Sequence, residues 1–286
     1  MRYTPIEAVF LALWASLAVL AAAFPHAGFF PLCVVGGLPF VMRRIFWPRR
    51  ARRTDLAMAC AVPVAFRIFW LPMNLITAGT PKTVDSQLNA IDFGVSARLW
   101  HAAEANVWVN AAFAAIYASL PIAIMLGLFL AGPRQRQLVG AIVYGAILAL
   151  PFYGAFPAVG PAHLKDPHAW RNCMPSMHLT WALLIAFNLR GKARTVAGLF
   201  AALTALATIA TGEHYLPDLI AAVPLAVLVD WLAAQNGDRT TPAEEMKGRN
   251  AMLPETGSCQ IALSNQVTDR TTHGIETGKL TDWRSP

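Results

Sequence analysis

Apolar runs of membrane-spanning length alternate with short polar or basic connections along most of this chain. The first, Ile6 to Phe24, has no small-residue cleavage site before the next run begins, so it reads as a retained span and not as a signal peptide. Pro25-His26-Ala27 turns the chain into a run from Gly28 to Met42 that is short for a span, which predicts a tilted or partly re-entrant hairpin. Further runs cover Asp55 to Ile76, Val107 to Ala131, Leu138 to Phe156, Pro175 to Arg190, Thr195 to Thr211 and His214 to Ala234. Together they predict an all-α polytopic membrane helix bundle of about six to eight transmembrane segments. Between the third and fourth runs, Thr77 to Asn106 is polar, yet Leu88, Ile91, Val95 and Leu99 recur at helical spacing against Asp85, Asn89, Asp92 and Ser96. That spacing predicts an amphipathic interfacial helix on the outer surface.

Composition sharpens this picture. Of 286 residues, 56% are hydrophobic and 14% charged, and the mean hydropathy of +0.46 exceeds that of a soluble domain. A formal charge of +7 and a pI of about 9.6 would suit nucleic acid, but the bases fall in short clusters between apolar runs. They are topology signals, and no nucleic-acid partner is expected. The six arginines between Arg43 and Arg53, the Arg134-Gln-Arg136 turn and the Arg190-Gly-Lys-Ala-Arg194 turn alternate with less basic connections. This places those turns and both termini in the cytoplasm, in a bacterial inner membrane. Arg67 lies within an apolar run, where it is expected to face the bundle interior or water; it either binds a lipid phosphate or serves only to snorkel or pair with a carboxylate. Cys33, Cys60, Cys173 and Cys259 show no metal-ligand spacing and imply no disulfide framework.

The chemistry concentrates between Arg171 and Asp218. Arg171-Asn-Cys-Met-Pro-Ser-Met-His178 opens one apolar run, and Gly212-Glu-His-Tyr-Leu-Pro-Asp218 opens another. Descending from His178, turning at Arg190 to Arg194 and returning to Thr211 brings both histidines to one membrane face, which arginine placement makes the outer one. Pro175 is favoured at a first helical position, so the N–H groups of Ser176, Met177 and His178 would form an anion site, with the Ser176 hydroxyl added. His214 and Asp218 are four apart, so the carboxylate can hold one ring N–H and leave the other nitrogen free to attack. Pro217 is tolerated only in a first turn, which moves His214 toward a cap position. Arg171 is expected to neutralise phosphate oxygens, while Lys165 either does the same or is a solvated loop base.

These residues resemble the type 2 phosphatidic acid phosphatase superfamily of membrane enzymes. Its phosphatases typically carry Lys-x6-Arg-Pro, Pro-Ser-Gly-His and Ser-Arg-x5-His-x3-Asp. Here Lys165 and Arg171 are spaced one residue closer, Asn172 stands where Pro is expected, Met177 replaces Gly, and Ala207-Thr208 replaces Ser-Arg. The His-Tyr-x-x-Asp ending is closer to the inositol phosphorylceramide synthase and sphingomyelin synthase branch, which exchanges phospho-headgroups between lipids. The resemblance implies catalysis by His214, His178 and Asp218, with Arg171, Ser176, Lys165 and Arg67 as substrate ligands. The implied reaction is headgroup transfer through a phosphohistidine, without cofactor or metal, from a lipid donor to a lipid or water acceptor. Hydrolysis of lipid phosphates or diphosphates is the second reading, and a transporter with a His/Asp proton relay a distant third. With His214 neutral and His178 protonated, activity should be bell-shaped in pH.

The transmembrane catalytic domain thus spans 1–235. Residues 236–286 form a polar tail, expected to be disordered and cytoplasmic. Leu253-Pro-Glu-Thr-Gly257 spells a sortase signal, but no apolar span and basic end follow it, so it is a coincidence or an added tag.

Overall fold

A computed structural model describes residues 3–23, 29–47, 54–78, 83–166 and 169–237, and among these every regular element is helical. The expected tail, the Pro25-His26-Ala27 turn and Arg49 to Arg53 lie outside the described residues. In order the helices are α1 (Pro5–Ala23), α2 (Phe30–Gly36), α3 (Leu38–Phe46), α4 (Asp55–Ala78), α5 (Asp85–Ile91), α6 (Val95–Glu104), α7 (Val107–Ala118), α8 (Leu120–Leu130), α9 (Gln135–Ala155), α10 (Met177–Asn188), α11 (Gly191–Ala210) and α12 (Leu216–Gly237). Five of the described helical stretches are long and apolar enough to cross a membrane, and α7 with α8 makes a sixth when the bent pair counts as one span. The bend of 43° falls where Pro121 lacks the N–H that would continue the ladder through Ser119.

Two of the expected segments come out shorter than a span. The run from Gly28 onward breaks at Gly37 into α2 and α3, each with a proline in its first turn. Helix α10 has 12 residues, which at about 1.5 Å per residue reaches only about 18 Å. It is nonetheless the most enclosed element: nine of those 12 residues are buried, against α8, α9, α11 and α12. Outward faces of the longer helices stay apolar, as Val196, Leu199 and Ile220 show, which suits contact with lipid. At the end of the bundle remote from His178, bases meet helix termini. Arg134 Nη1 donates to the Phe187 carbonyl at 3.2 Å, Arg43 pairs with Asp55 at 3.5 Å, and Arg44 pairs with Glu7 at 2.7 Å.

The interfacial segment departs from expectation. It folds as two short helices, α5 and α6, joined through Phe93 and Gly94, both at positive φ. Much of its polar set points inward: Asp85 and Asp92 are 3% exposed and Ser96 is fully buried, whereas Asn89 is exposed; Leu88 is buried as well, while Ile91 and Phe93 are 62% and 82% exposed. The cause is backbone demand, because a buried N–H must find an acceptor. Asp85 accepts from Val159 and Gly160 N–H, Asp92 from Gly94 and Ser96 N–H, and Ser96 Oγ from Leu216 N–H.

Candidate active site

The start of α10 is capped by Ser176, whose hydroxyl accepts from the Leu179 N–H, so the helix begins at Met177 and Pro175 precedes it. Serine outcompetes a first-turn proline here because its oxygen satisfies a terminal donor. The Ser176 N–H in turn donates to the Asp218 carbonyl at 3.2 Å, tying the first turns of α10 and α12 together. Two of the three amides expected to bind an anion, those of Met177 and His178, therefore remain; the third holds the scaffold.

His214 lies just before α12, as Pro217 in its first turn demands. Tyr215 is the cap residue, and its N–H donates to Asp218 Oδ2 at 2.7 Å, half of a capping box. That bond bends the carboxylate back toward the loop, where Oδ2 comes within 3.6 Å of His214 Nδ1. The pairing read from the four-residue spacing is thus made by a cap, not by a helical turn. A five-residue turn holds His214 in place: Gly212 at φ +73° ends α11, and the Thr208 carbonyl accepts from both Glu213 and His214 N–H. Gly160, at φ +83°, packs so closely on this turn that a Cβ there would lie 2.5 Å from the Glu213 carbonyl oxygen.

The two histidine rings lie 6.2 Å apart, centroid to centroid. Tyr117, at the α7–α8 bend, stacks on His178 at 3.8 Å, and His178 Nε2 is buried with no hydrogen-bond partner. Both histidines line a cavity of about 400 Å³. Its walls are largely aromatic, with Phe66, Phe69 and Trp70 from α4 facing Tyr153, Trp170 and Trp181. At its mouth His163 Nε2 meets Glu213 Oε1 at 3.0 Å, and that carboxylate holds the imidazole above its ordinary pKa.

Among the described residues no lysine or arginine lines this cavity. Lys165 is exposed on the loop, Arg171 is half-buried off the wall, and Arg67 is exposed on α4, off the stripe of Phe66, Phe69 and Trp70. Arg67 thus faces away from the bundle interior, and the structure gathers the three expected catalytic residues but none of the expected cations. Ser176 is fully buried and spends its hydroxyl on its own helix.

Sequence reasoning puts Cys173 beside the site but gives it no role there. Its sulfur lies 2.8 Å from Asp218 Oδ2, 3.4 Å from His214 Nδ1 and 3.0 Å from the Glu213 carbonyl oxygen. Burial beside the Asp218 carboxylate raises the thiol pKa well above its ordinary value and keeps the S–H a donor. No spacing rule links positions 41 and 45 residues apart. The aromatic wall was readable: Phe66, Phe69, Trp70 and Met73 follow the i, i+3, i+4, i+7 pattern of one helix face, with Arg67 off it.

The PAP2 superfamily model matches residues 84–232. This chain belongs to the PAP2 superfamily. No curated protein matches it, and no solved structure does. PAP2 superfamily membership supports an enzyme, a phosphatase or phosphotransferase acting on a phosphorylated substrate. The match begins one residue before Asp85, whose carboxylate holds the loop over the site, and it takes in both histidines and Asp218. Helices α1 to α4 lie outside the PAP2 region, although α4 supplies much of the aromatic wall.

Proposed function

We propose that this protein is a membrane-embedded lipid phosphotransferase that moves a phospho-headgroup between lipids through a phosphohistidine. The observation that carries this reading is the His178–His214 pair, 6.2 Å apart on one wall of an aromatic cavity, with Asp218 behind His214. The Asp218 carboxylate, 3.6 Å from Nδ1, favours the tautomer with the proton on that nitrogen, which leaves the Nε2 lone pair to attack phosphorus. His178, whose Nε2 has no protein partner, delivers a proton to the departing alkoxide. The acceptor hydroxyl then attacks the phosphohistidine and returns a proton to His178, which regenerates both groups. The Met177 and His178 amides at the start of α10 face the developing negative charge.

The wall supports transfer over hydrolysis. A terminal phosphate carries two charges and calls for cations, whereas a diester carries one. A cavity lined by aromatic rings without lysine or arginine among its described residues suits the diester, and it favours a lipid alcohol over water. Purified protein incubated with labelled phospholipids plus ceramide, diacylglycerol or polyprenol should move label into a new lipid. Release of inorganic phosphate alone would overturn transfer and leave a lipid phosphatase; movement of lipid without product would leave a transporter.

We further propose that the site opens to the periplasmic side of a bacterial inner membrane, on the strength of arginine placement. Reporter fusions at Arg134 and Lys165 should report opposite compartments. The same compartment at both points would sink this orientation.

A further inference from the structure

The geometry points to a site for a soft divalent cation, of the zinc or cadmium class, formed by Cys173 Sγ, His214 Nδ1 and Asp218 Oδ2. Their three separations are 3.4 Å (Sγ to Nδ1), 3.6 Å (Nδ1 to Oδ2) and 2.8 Å (Sγ to Oδ2). A tetrahedral zinc with bonds of about 2.0–2.3 Å spaces its ligands about 3.3–3.8 Å apart, so two edges already match one face of that tetrahedron. The third is short because a hydrogen bond spans it, and it opens when the thiol proton leaves. All three side chains are buried, and Asp218 Oδ1 has no hydrogen-bond partner at zero exposure, an oxygen placed to complete the coordination.

The donor set selects the ion. A thiolate and a carboxylate together balance a double positive charge, and thiolate with imidazole favours zinc, cadmium or cobalt over the hard, oxygen-seeking magnesium and calcium. Binding balances as a ligand exchange: the metal–sulfur bond replaces the S–H bond, and the proton passes to water. The way in is past His214, which borders the cavity.

Occupancy silences the nucleophile by proton placement. A neutral imidazole has one nitrogen lone pair. Once Nδ1 gives it to the metal, the ring proton is fixed on Nε2, the nitrogen that must attack phosphorus. The metal also takes the Asp218 oxygen that orients the ring. A soft metal therefore inhibits by binding behind the histidine, out of contact with substrate. This inhibitory consequence rests on the phosphohistidine reading above; the metal site does not.

Cobalt tests the site without any assay of turnover. Chelator-stripped full-length protein titrated with Co²⁺ should develop a sulfur-to-cobalt charge-transfer absorption that saturates at one equivalent. The band should vanish in Cys173→Ala and His214→Gln and persist in Cys33→Ala, Cys60→Ala and Cys259→Ala. Absence of the band, or its survival in Cys173→Ala, would overturn the site. Should those variants fail to fold, the wild type still answers. Zinc should slow alkylation of Cys173, followed by mass spectrometry of the labelled peptide, at least tenfold while leaving Cys33 unaffected, and equal rates with and without zinc would overturn the proposal. Zinc should also suppress transfer at the same concentrations, reversibly with chelator, where magnesium does not. A cobalt band without inhibition would retain the site and refute His214 as nucleophile.

Discussion

Replacing His214 with alanine is expected to lower turnover on the order of a thousandfold or more, about 4 kcal/mol of transition-state stabilisation. The size follows from the role. Among the described residues His214 is the one imidazole that lines the cavity with a carboxylate on its Nδ1 side, and the proposed reaction has no second route to a covalent phosphoryl intermediate. The loss should fall on turnover and not on lipid binding, because the aromatic wall, the proposed lipid site, is untouched. Brief incubation with labelled donor followed by denaturation should leave acid-labile label on the wild-type chain and none on the variant. A His214→Ala protein with near-normal turnover would refute the assignment.

Asp218→Asn is the second large effect, again on the order of a thousandfold. The amide oxygen can still accept from the Tyr215 N–H, so the cap of α12 and the fold should survive. The support of His214 should not, because an amide oxygen in the place of Oδ2 brings no negative charge to orient the ring or to stabilise it as positive charge develops during attack. The Nδ1 proton is then held weakly, and Nε2 is a poorer nucleophile. Turnover should collapse with KM nearly constant, and the helical circular dichroism signal should match the wild type. A fall in KM-dependent binding with turnover preserved would mark Asp218 as a purely structural cap.

The sequence carried the bundle and the His178, His214, Asp218 set because both are written locally, in apolar runs and in residues a few positions from a helix start. Its errors arose where buried backbone donors outranked side-chain polarity. Leu88, Ile91 and Leu99 look like an inward face, yet loop amides at Val159 and Gly160 needed Asp85, and only Leu88 of the three stays buried. Ser176 was read as a substrate ligand for the same reason: a hydroxyl before a helix is equally a cap. Lys165 and Arg171 were assigned by nearness in sequence, which says nothing of the direction the long loop between α9 and α10 gives each side chain. Cys173 reaches His214 and Asp218 only through tertiary folding, so no linear motif could announce it.

The shortness of α10 sets the depth at which chemistry happens. Its far end carries Arg190 and Lys192, which hold that end in water, and 12 residues rise about 12 Å less than the thickness of a hydrocarbon core of about 30 Å. In the membrane placement proposed above, His178 is therefore recessed by that difference from the opposite water boundary, at the depth of the acyl chains. For the proposed transfer, a donor phosphate must sink to reach it. An acceptor already dissolved in the bilayer, such as ceramide or diacylglycerol, reaches that recess without leaving lipid, and bulk water does not.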